Sequence, residues 1–135
     1  MKLKRINHIA LVVPQLKTAK KFWVDVMGLS LDHEAHIAEQ QVDVAFMPIE
    51  NSNIELLQPT DLTSGVAKFL NKRGAGMHHI CFEIDDIDAA IEELQAAEVP
   101  LINETPQLDA HGKKLIFIHP KGTGGVLVEL YELPQ

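Results

Sequence analysis

Asn7-His8-Ile9-Ala10-Leu11-Val12-Val13 can be laid over His78-His79-Ile80-Cys81-Phe82-Glu83-Ile84, with His8 falling on His79 and Ile9 on Ile80 at an offset of 71 residues (79 − 8). The same offset carries Leu16 onto Ile87, Ala19 onto Ala90 and Trp23 onto Leu94, and Val44-Ala45-Phe46-Met47 onto Leu115-Ile116-Phe117-Ile118. Ile54-Glu55-Leu56-Leu57 falls on Val128-Glu129-Leu130-Tyr131 at an offset of 74 (129 − 55). The difference is taken up in the Lys121-Gly122-Thr123-Gly124-Gly125 turn, because lengthening a surface loop costs little. Self-similarity of this kind means one supersecondary unit used twice. Each copy reads as strand, helix, then three strands. The expected fold is therefore α+β, two tandem βαβββ modules whose curved sheets enclose a site, all within one domain spanning residues 1–135. Module one covers about 4–60, a linker with a short helix about 61–75, and module two about 76–133.

The elements follow from periodicity. Leu16, Ala19, Phe22, Trp23, Val26 and Met27 recur at three- and four-residue steps, which predicts an amphipathic helix stopped by Gly28. Ile87, Ala90, Ile91 and Leu94 form the matching stripe, with Asp85 or Asp86 as its cap. In the linker, Thr63 or Ser64 caps a short helix with Val66, Phe69 and Leu70 on its apolar side.

The strand that opens each module alternates its side chains between two faces. Ile9, Leu11 and Val13 are large and apolar, so they pack under the helix. His8 is left on the other face with Ala10 and Val12, and His79 and Cys81 take the equivalent places in the second module. Glu55 and Glu129 each lie between apolar neighbours that point the other way. A single His or Glu in such a setting is ordinary structure or an edge residue facing water. A repeated pair of each, on faces able to converge, reads as a metal site. Two imidazoles with one or two carboxylates suit Co²⁺, Ni²⁺, Mn²⁺, Zn²⁺ or Fe²⁺ better than Ca²⁺. His33 and His36 fall in a polar turn-like segment with Asp32 and Glu34, while His78, His111 and His119 face away or sit in loops. None of these five is expected to be a ligand.

Composition narrows the function classes. The chain is 46% hydrophobic and 23% charged, enough for a real core. Its net charge of −7 argues against general nucleic-acid binding. Local clusters, Lys68, Lys72 and Arg73 or Lys113, Lys114 and Lys121, could still hold the phosphates of a nucleotide-bearing ligand. The apolar runs are short and Met1-Lys2-Leu3-Lys4-Arg5 leads directly into a strand, so a cytoplasmic location without a membrane partner is expected. The lone Cys81 agrees with a reducing compartment.

The doubled pattern, with a His near the start and a Glu near the end of each copy, resembles the vicinal-oxygen-chelate superfamily. Within it, Gly76-Met77-His78-His79-Ile80-Cys81-Phe82-Glu83-Ile84-Asp85-Asp86, Ala110-His111-Gly112-Lys113-Lys114, His119-Pro120-Lys121 and Gly124-Gly125-Val126-Leu127-Val128-Glu129-Leu130 resemble the methylmalonyl-CoA epimerase family. That resemblance implies a divalent metal ion held by His8, His79 and Glu129, with Glu55 at a fourth position where some members carry Gln. It implies methylmalonyl-CoA as substrate, an epimerase reaction through an enolate, and a homodimer. It makes Glu129 one acid/base and, on the strand-like run from Gln41 to Phe46, Asp43 the other. Alternatives with the same fold are a glyoxalase I-type isomerase, an extradiol dioxygenase and a metal-free binding protein.

Overall fold

In the computed structural model, which describes residues 1–109 and 111–134, β1 (Leu3–Val12) is followed by α1 (Leu16–Lys20), which continues as a π-helical segment, Lys21–Val26. Then come β2 (His33–Ile37), β3 (Val42–Ile49), β4 (Ser52–Pro59) and α2 (Gly65–Arg73). The repeat is β5 (Gly76–Ile84), α3 (Ile87–Ala96), β6 (Gln107–Leu108), β7 (Lys114–Ile118) and β8 (Leu127–Glu132). Each copy thus runs βαβββ, as the self-alignment predicts. Ala110, part of one quoted motif, lies outside the described residues.

Compactness divides the chain into a first unit, His8–His78, and a second unit made of Met1–Asn7 and the chain from His79 on. This division cuts the chain differently from the expected modules. The linker helix α2 belongs to the first unit, and the opening seven residues belong to the second. Side-chain contacts explain the latter: Lys2 N–H donates to Asp85 Oδ1 at 3.1 Å, the terminal ammonium meets Glu93, and Arg5 pairs with Glu83. The Lys2 N–H also holds the Asp85 carboxyl below the usual carboxylate range.

In the first unit the strand order is β2-β3-β4-β1, with β1 parallel to β4 and the other neighbours antiparallel. Period-two alternation divides its residues between two faces. Leu16, Ala45, Met47 and Leu56 are buried on the α1 side, joined by Leu11, Val13, Ala19, Trp23, Val24, Leu29 and Ile54. Ala10, Val12, Val42, Val44 and Leu57 are buried on the other side with Val66 of α2, joined by Ile37, Phe46, Phe69 and Leu70. Each fully buried Val, Leu or Met contributes about 1.5–3 kcal/mol relative to exposure. α2 starts where Ser64 Oγ accepts the Ala67 N–H at 3.0 Å.

The first helix departs from its expected stripe. Met27 N–H donates to Phe22 O at 2.8 Å, an i to i+5 bond that widens the turn. The extra residue per turn brings Trp23 and Val24 inward and leaves Phe22, Val26 and Met27 exposed. Gly28, at φ +83°, then ends the helix in a conformation other residues avoid.

In the second unit the order is β5-β8-β7-β6, with β5 parallel to β8. Its core, Ile84, Ile87, Ala90, Ile91, Ile116, Ile118 and Leu130, lies under α3. Asp86 Oδ1 caps that helix by accepting Ala89 N–H at 3.0 Å, and Glu132 Oε2 accepts Ile87 N–H at 3.2 Å. No helix among the described residues is long and apolar enough to cross a membrane.

Candidate metal centre

The hydrogen-bonding registers repeat as closely as the sequence. In the first unit, Ala10 on β1 is the partner of Glu55 on β4, and Glu55 is the partner of Phe46 on β3. In the second, Cys81 on β5 is the partner of Glu129 on β8, and Glu129 is the partner of Phe117 on β7. Each His precedes the residue opposite its Glu by two places. Two residues along a strand restore the same face, so His and Glu of one unit stand side by side on the face away from the first helix.

The side chains meet as that geometry requires. His8 Nδ1 is 3.1 Å from Glu55 Oε2, and His79 Nε2 is 3.2 Å from Glu129 Oε1. His8, His79 and Glu129 are buried, and Glu129 is only 2% exposed. Their ligand atoms all lie within 4.8 Å of one another. Glu55 is not in that trio; its side chain is 14% exposed and meets His8. His79 is further placed by Phe117, whose ring stands edge-on to it at a centroid distance of 5.9 Å.

This donor set fits a divalent ion. A carboxylate held this far from water is unfavourable unless a positive charge or several donors compensate it. Two neutral imidazole nitrogens and one carboxylate oxygen are the combination that borderline first-row ions prefer. His8, His79 and Glu129 would hold the ion, with Glu55 next to His8 as the candidate fourth ligand.

Asp43 does not join the group. Its neighbours in alternation, Ala45 and Met47, pack on the α1 side, whereas Val42 and Val44 pack on the face of Ala10 and Val12. The Asp43 carboxylate is exposed and meets His36 Nδ1 at 2.8 Å, beside Leu16 and Glu34. The expectation that it borders the cavity of the metal ligands fails by one residue of strand parity.

The segment read as a polar turn is the strand β2. His33 pairs with Phe46 and Ile37 with Val42, so His33, Ala35 and Ile37 share a face. Glu34 and His36 point to the α1 side, where Lys20 Nζ meets Glu34 Oε1 at 3.1 Å. The alternation of Ala35 and Ile37 with charged residues was the available signal. Of the other histidines, His78 lies against Phe69 of α2, and His119 Nδ1 accepts Lys121 N–H at 3.1 Å.

The lysines also separate. Lys114 Nζ reaches Asp88 Oδ2 at 3.6 Å on the α3 side. Lys113 lies with its ammonium 5.5 Å from the centre of the Tyr131 ring, and Tyr131 follows Glu129 by two on the same face of β8. The loop that presents Lys113 is drawn tight by Asp109, whose Oδ1 accepts the N–H groups of His111 at 2.8 Å and Lys113 at 2.9 Å.

Residues 7–117 match the glyoxalase/bleomycin resistance protein/dioxygenase superfamily. The human mitochondrial methylmalonyl-CoA epimerase is 43% identical over 129 residues, which cover 95% of this chain and 73% of that protein. The ethylmalonyl-CoA/methylmalonyl-CoA epimerase of Cereibacter sphaeroides is 38% identical over 131 residues, covering 96% of this chain and 98% of that one. Among solved structures, a variant of Streptomyces coelicolor methylmalonyl-CoA epimerase in complex with 2-nitronate-propionyl-CoA superposes with a TM-score of 0.88 at 32% identity, over 99% of this chain and 100% of that one.

Proposed function

Because the chain belongs to the glyoxalase/bleomycin resistance protein/dioxygenase superfamily, and within it to the methylmalonyl-CoA epimerases, we propose that it interconverts the 2R and 2S forms of methylmalonyl-CoA. It is an isomerase acting on an acyl-CoA thioester. The observation that carries the chemistry is the buried trio His8, His79 and Glu129. A divalent ion bound there supplies Lewis-acid neutralisation of the charge that develops on the substrate's oxygens.

The remaining work falls to the chain's own side chains. Inversion at C2 removes a proton from one side of the carbon and returns one to the other. The electron pair of the broken C–H bond passes into the thioester oxygen and comes back when the new bond forms. Glu129 is the proton carrier on one side, held in place by His79. Phe46 and Phe117 flank Glu55 and Glu129 in the sheet register and limit water around the reacting carbon. Lys113, on the face of Glu129, meets an anionic group of the substrate, while Lys114 is engaged with Asp88 on the other side. The homodimer and the cytoplasmic location expected from the sequence remain part of this reading, open to sedimentation and fractionation.

The test is direct. Metal-loaded protein incubated in D₂O with one methylmalonyl-CoA epimer should incorporate deuterium at C2 and form the other epimer, and chelation should stop both. Turnover of a hemithioacetal with no C2 exchange would instead make it a glyoxalase-type isomerase.

A further inference from the structure

Phe117 on β7 links two residues of the metal centre. Its backbone is the register partner of Glu129, and its ring stands edge-on to His79. Whatever holds the outer edge of β7 therefore also holds those residues. In the first unit the corresponding strand, β3, is paired along its outer edge by β2, with His33 opposite Phe46. In the second unit the outer edge of β7 is covered in pieces. β6 is two residues long and pairs with Lys114 and Leu115. Further along, Ile102 N–H donates to Phe117 O at 2.8 Å, and Leu101 bridges to Ile118.

The peptide groups between these pieces, Leu115 O and Phe117 N–H, are met by one side chain. Asn103 Oδ1 accepts Phe117 N–H at 2.8 Å, while its Nδ2 donates to Leu115 O at 3.3 Å and to Thr105 O at 3.0 Å. A carboxamide offers the same donor and acceptor as a peptide group, so Asn103 replaces a strand neighbour at this point. Without it, the part-buried Phe117 N–H would have to turn toward water, and β7 would be free to shift at the residue that touches His79.

We propose that Asn103 is a positioning residue of the metal centre: by completing the outer edge of β7 it fixes Phe117, and through the Phe117 ring it fixes the imidazole of His79. Asn103 acts through Phe117 and is not itself a ligand. The proposal rests on the reading of His79 and Glu129 as metal ligands. Asn103, Phe117, His79 and Glu129 all lie in the second unit.

The experiment uses the full chain and two readouts. The first is the proton NMR spectrum of the metal-free protein, in which the ring current of Phe117 displaces the C–H signals of the His79 imidazole. Their loss in His79→Gln assigns them, and Phe117→Leu marks where they fall without the ring. Asn103→Ala should move them most of the way to the Phe117→Leu positions. Asn103→Asp, which keeps the acceptor for Phe117 N–H, should move them less. The second readout is affinity for Zn²⁺, measured by competition with a chelator. Asn103→Ala should lower it about tenfold, as loss of a group that orients a ligand does. Asp86→Ala gauges plain destabilisation, because it removes the cap of α3 and none of the bonds along β7. It should leave both readouts at the parent's values. Asn103 is half-buried and outside the core under α3, so the fold should survive its replacement. His79 signals left in place by Asn103→Ala would overturn the proposal, as would equal displacement by Asp86→Ala. Zn²⁺ affinity of Asn103→Ala within about twofold of the parent would overturn it too. If the parent itself bound no Zn²⁺, the metal reading would fall first, while the His79 signals would still decide the place of Asn103.

Discussion

The two units carry the same strand registers and opposite chemistry at one end of the face that bears the ligands. In the first unit, Val12, Val42 and Leu57 pack beneath Val66 of α2 and close that end with apolar side chains. At the corresponding positions the second unit has Glu83, Lys113 and Tyr131. Glu83 is buried and paired with Arg5, and Lys113 lies over the Tyr131 ring. Duplication thus preserved the backbone geometry that places a His and a Glu, while the residues four places after each His, two after each Glu and four before Phe46 and Phe117 were free to diverge. A sealed end suits the acyl part of a thioester, and a polar end suits an anionic one.

The largest expected effect comes from the two glutamates themselves. Glu129 is 2% exposed and belongs to the ligand trio, whereas Glu55 does not. Glu129→Gln should lower metal affinity and reduce turnover about 1,000-fold, since it removes both a charged ligand and a proton carrier. Glu55→Gln should cost less than about tenfold, because an amide oxygen can still coordinate. Equal losses of metal in the two variants, measured by elemental analysis, would erase the asymmetry.

Exchanging the residues at the divergent end comes next. Val12→Glu puts the second unit's carboxylate into the first, where Val12 is fully buried and nothing comparable to Arg5 stands beside it in the cluster under α2. We expect destabilisation of about 3 kcal/mol or more by chemical denaturation. Glu83→Val should cost about 1–3 kcal/mol, below the value for a wholly buried pair because Arg5 is 39% exposed. Adding Arg5→Met to Glu83→Val should return part of that loss. If Val12→Glu were the milder change, the first unit's sealed end would not be sealed.

The longer turn of the second unit offers a smaller test. A Cβ on Gly122 would lie 2.8 Å from Val99 Cγ1 and 3.0 Å from Pro100 Cδ. Gly122→Ala should therefore destabilise by about 1–2 kcal/mol and leave metal content unchanged. Wild-type stability would mean that the turn moves aside easily.

The smallest effect should separate the two lysines. Lys113→Met should raise KM for methylmalonyl-CoA about 3–10-fold, with kcat little changed and weaker dependence on salt. Lys114→Met, at a lysine engaged by Asp88, should leave KM unaltered. A common response would make both side chains part of a diffuse field and not of a directed contact.

Much of this was legible in the chain. Period-two alternation and the 71-residue repeat located His8, His79, Glu55 and Glu129 on equivalent faces, because a β-strand has only two faces and apolar neighbours decide which one is buried. Helix patterning narrowed each cap to two neighbours, Thr63 or Ser64 and Asp85 or Asp86, of which Ser64 and Asp86 make the bonds. It failed at Asp43, His33 and the first helix. Asp43 sits in an apolar run whose buried residues occupy both faces, Val42 and Val44 on one and Ala45 and Met47 on the other, so parity could not be assigned from hydrophobicity. His33 starts an edge strand whose alternation is carried by Ala35 and Ile37 alone, too short a run to stand out among its polar neighbours. The π-helical turn left no mark in composition, since the stripe Leu16, Ala19 and Trp23 is common to both windings until Val24.

The duplicated βαβββ order and the two His–Glu pairs could be read from local periodicity, because any residue's near neighbours reveal it. Which carboxylate or imidazole stands beside which strand, which unit claims the first seven residues, and which lysine lies over Tyr131 depended on how distant segments pack. Those outcomes rest on register and on contacts between residues far apart in the chain, such as Arg5 with Glu83 and Glu132 with Ile87. A one-residue change of register reverses every such assignment while leaving the apolar pattern almost as it was.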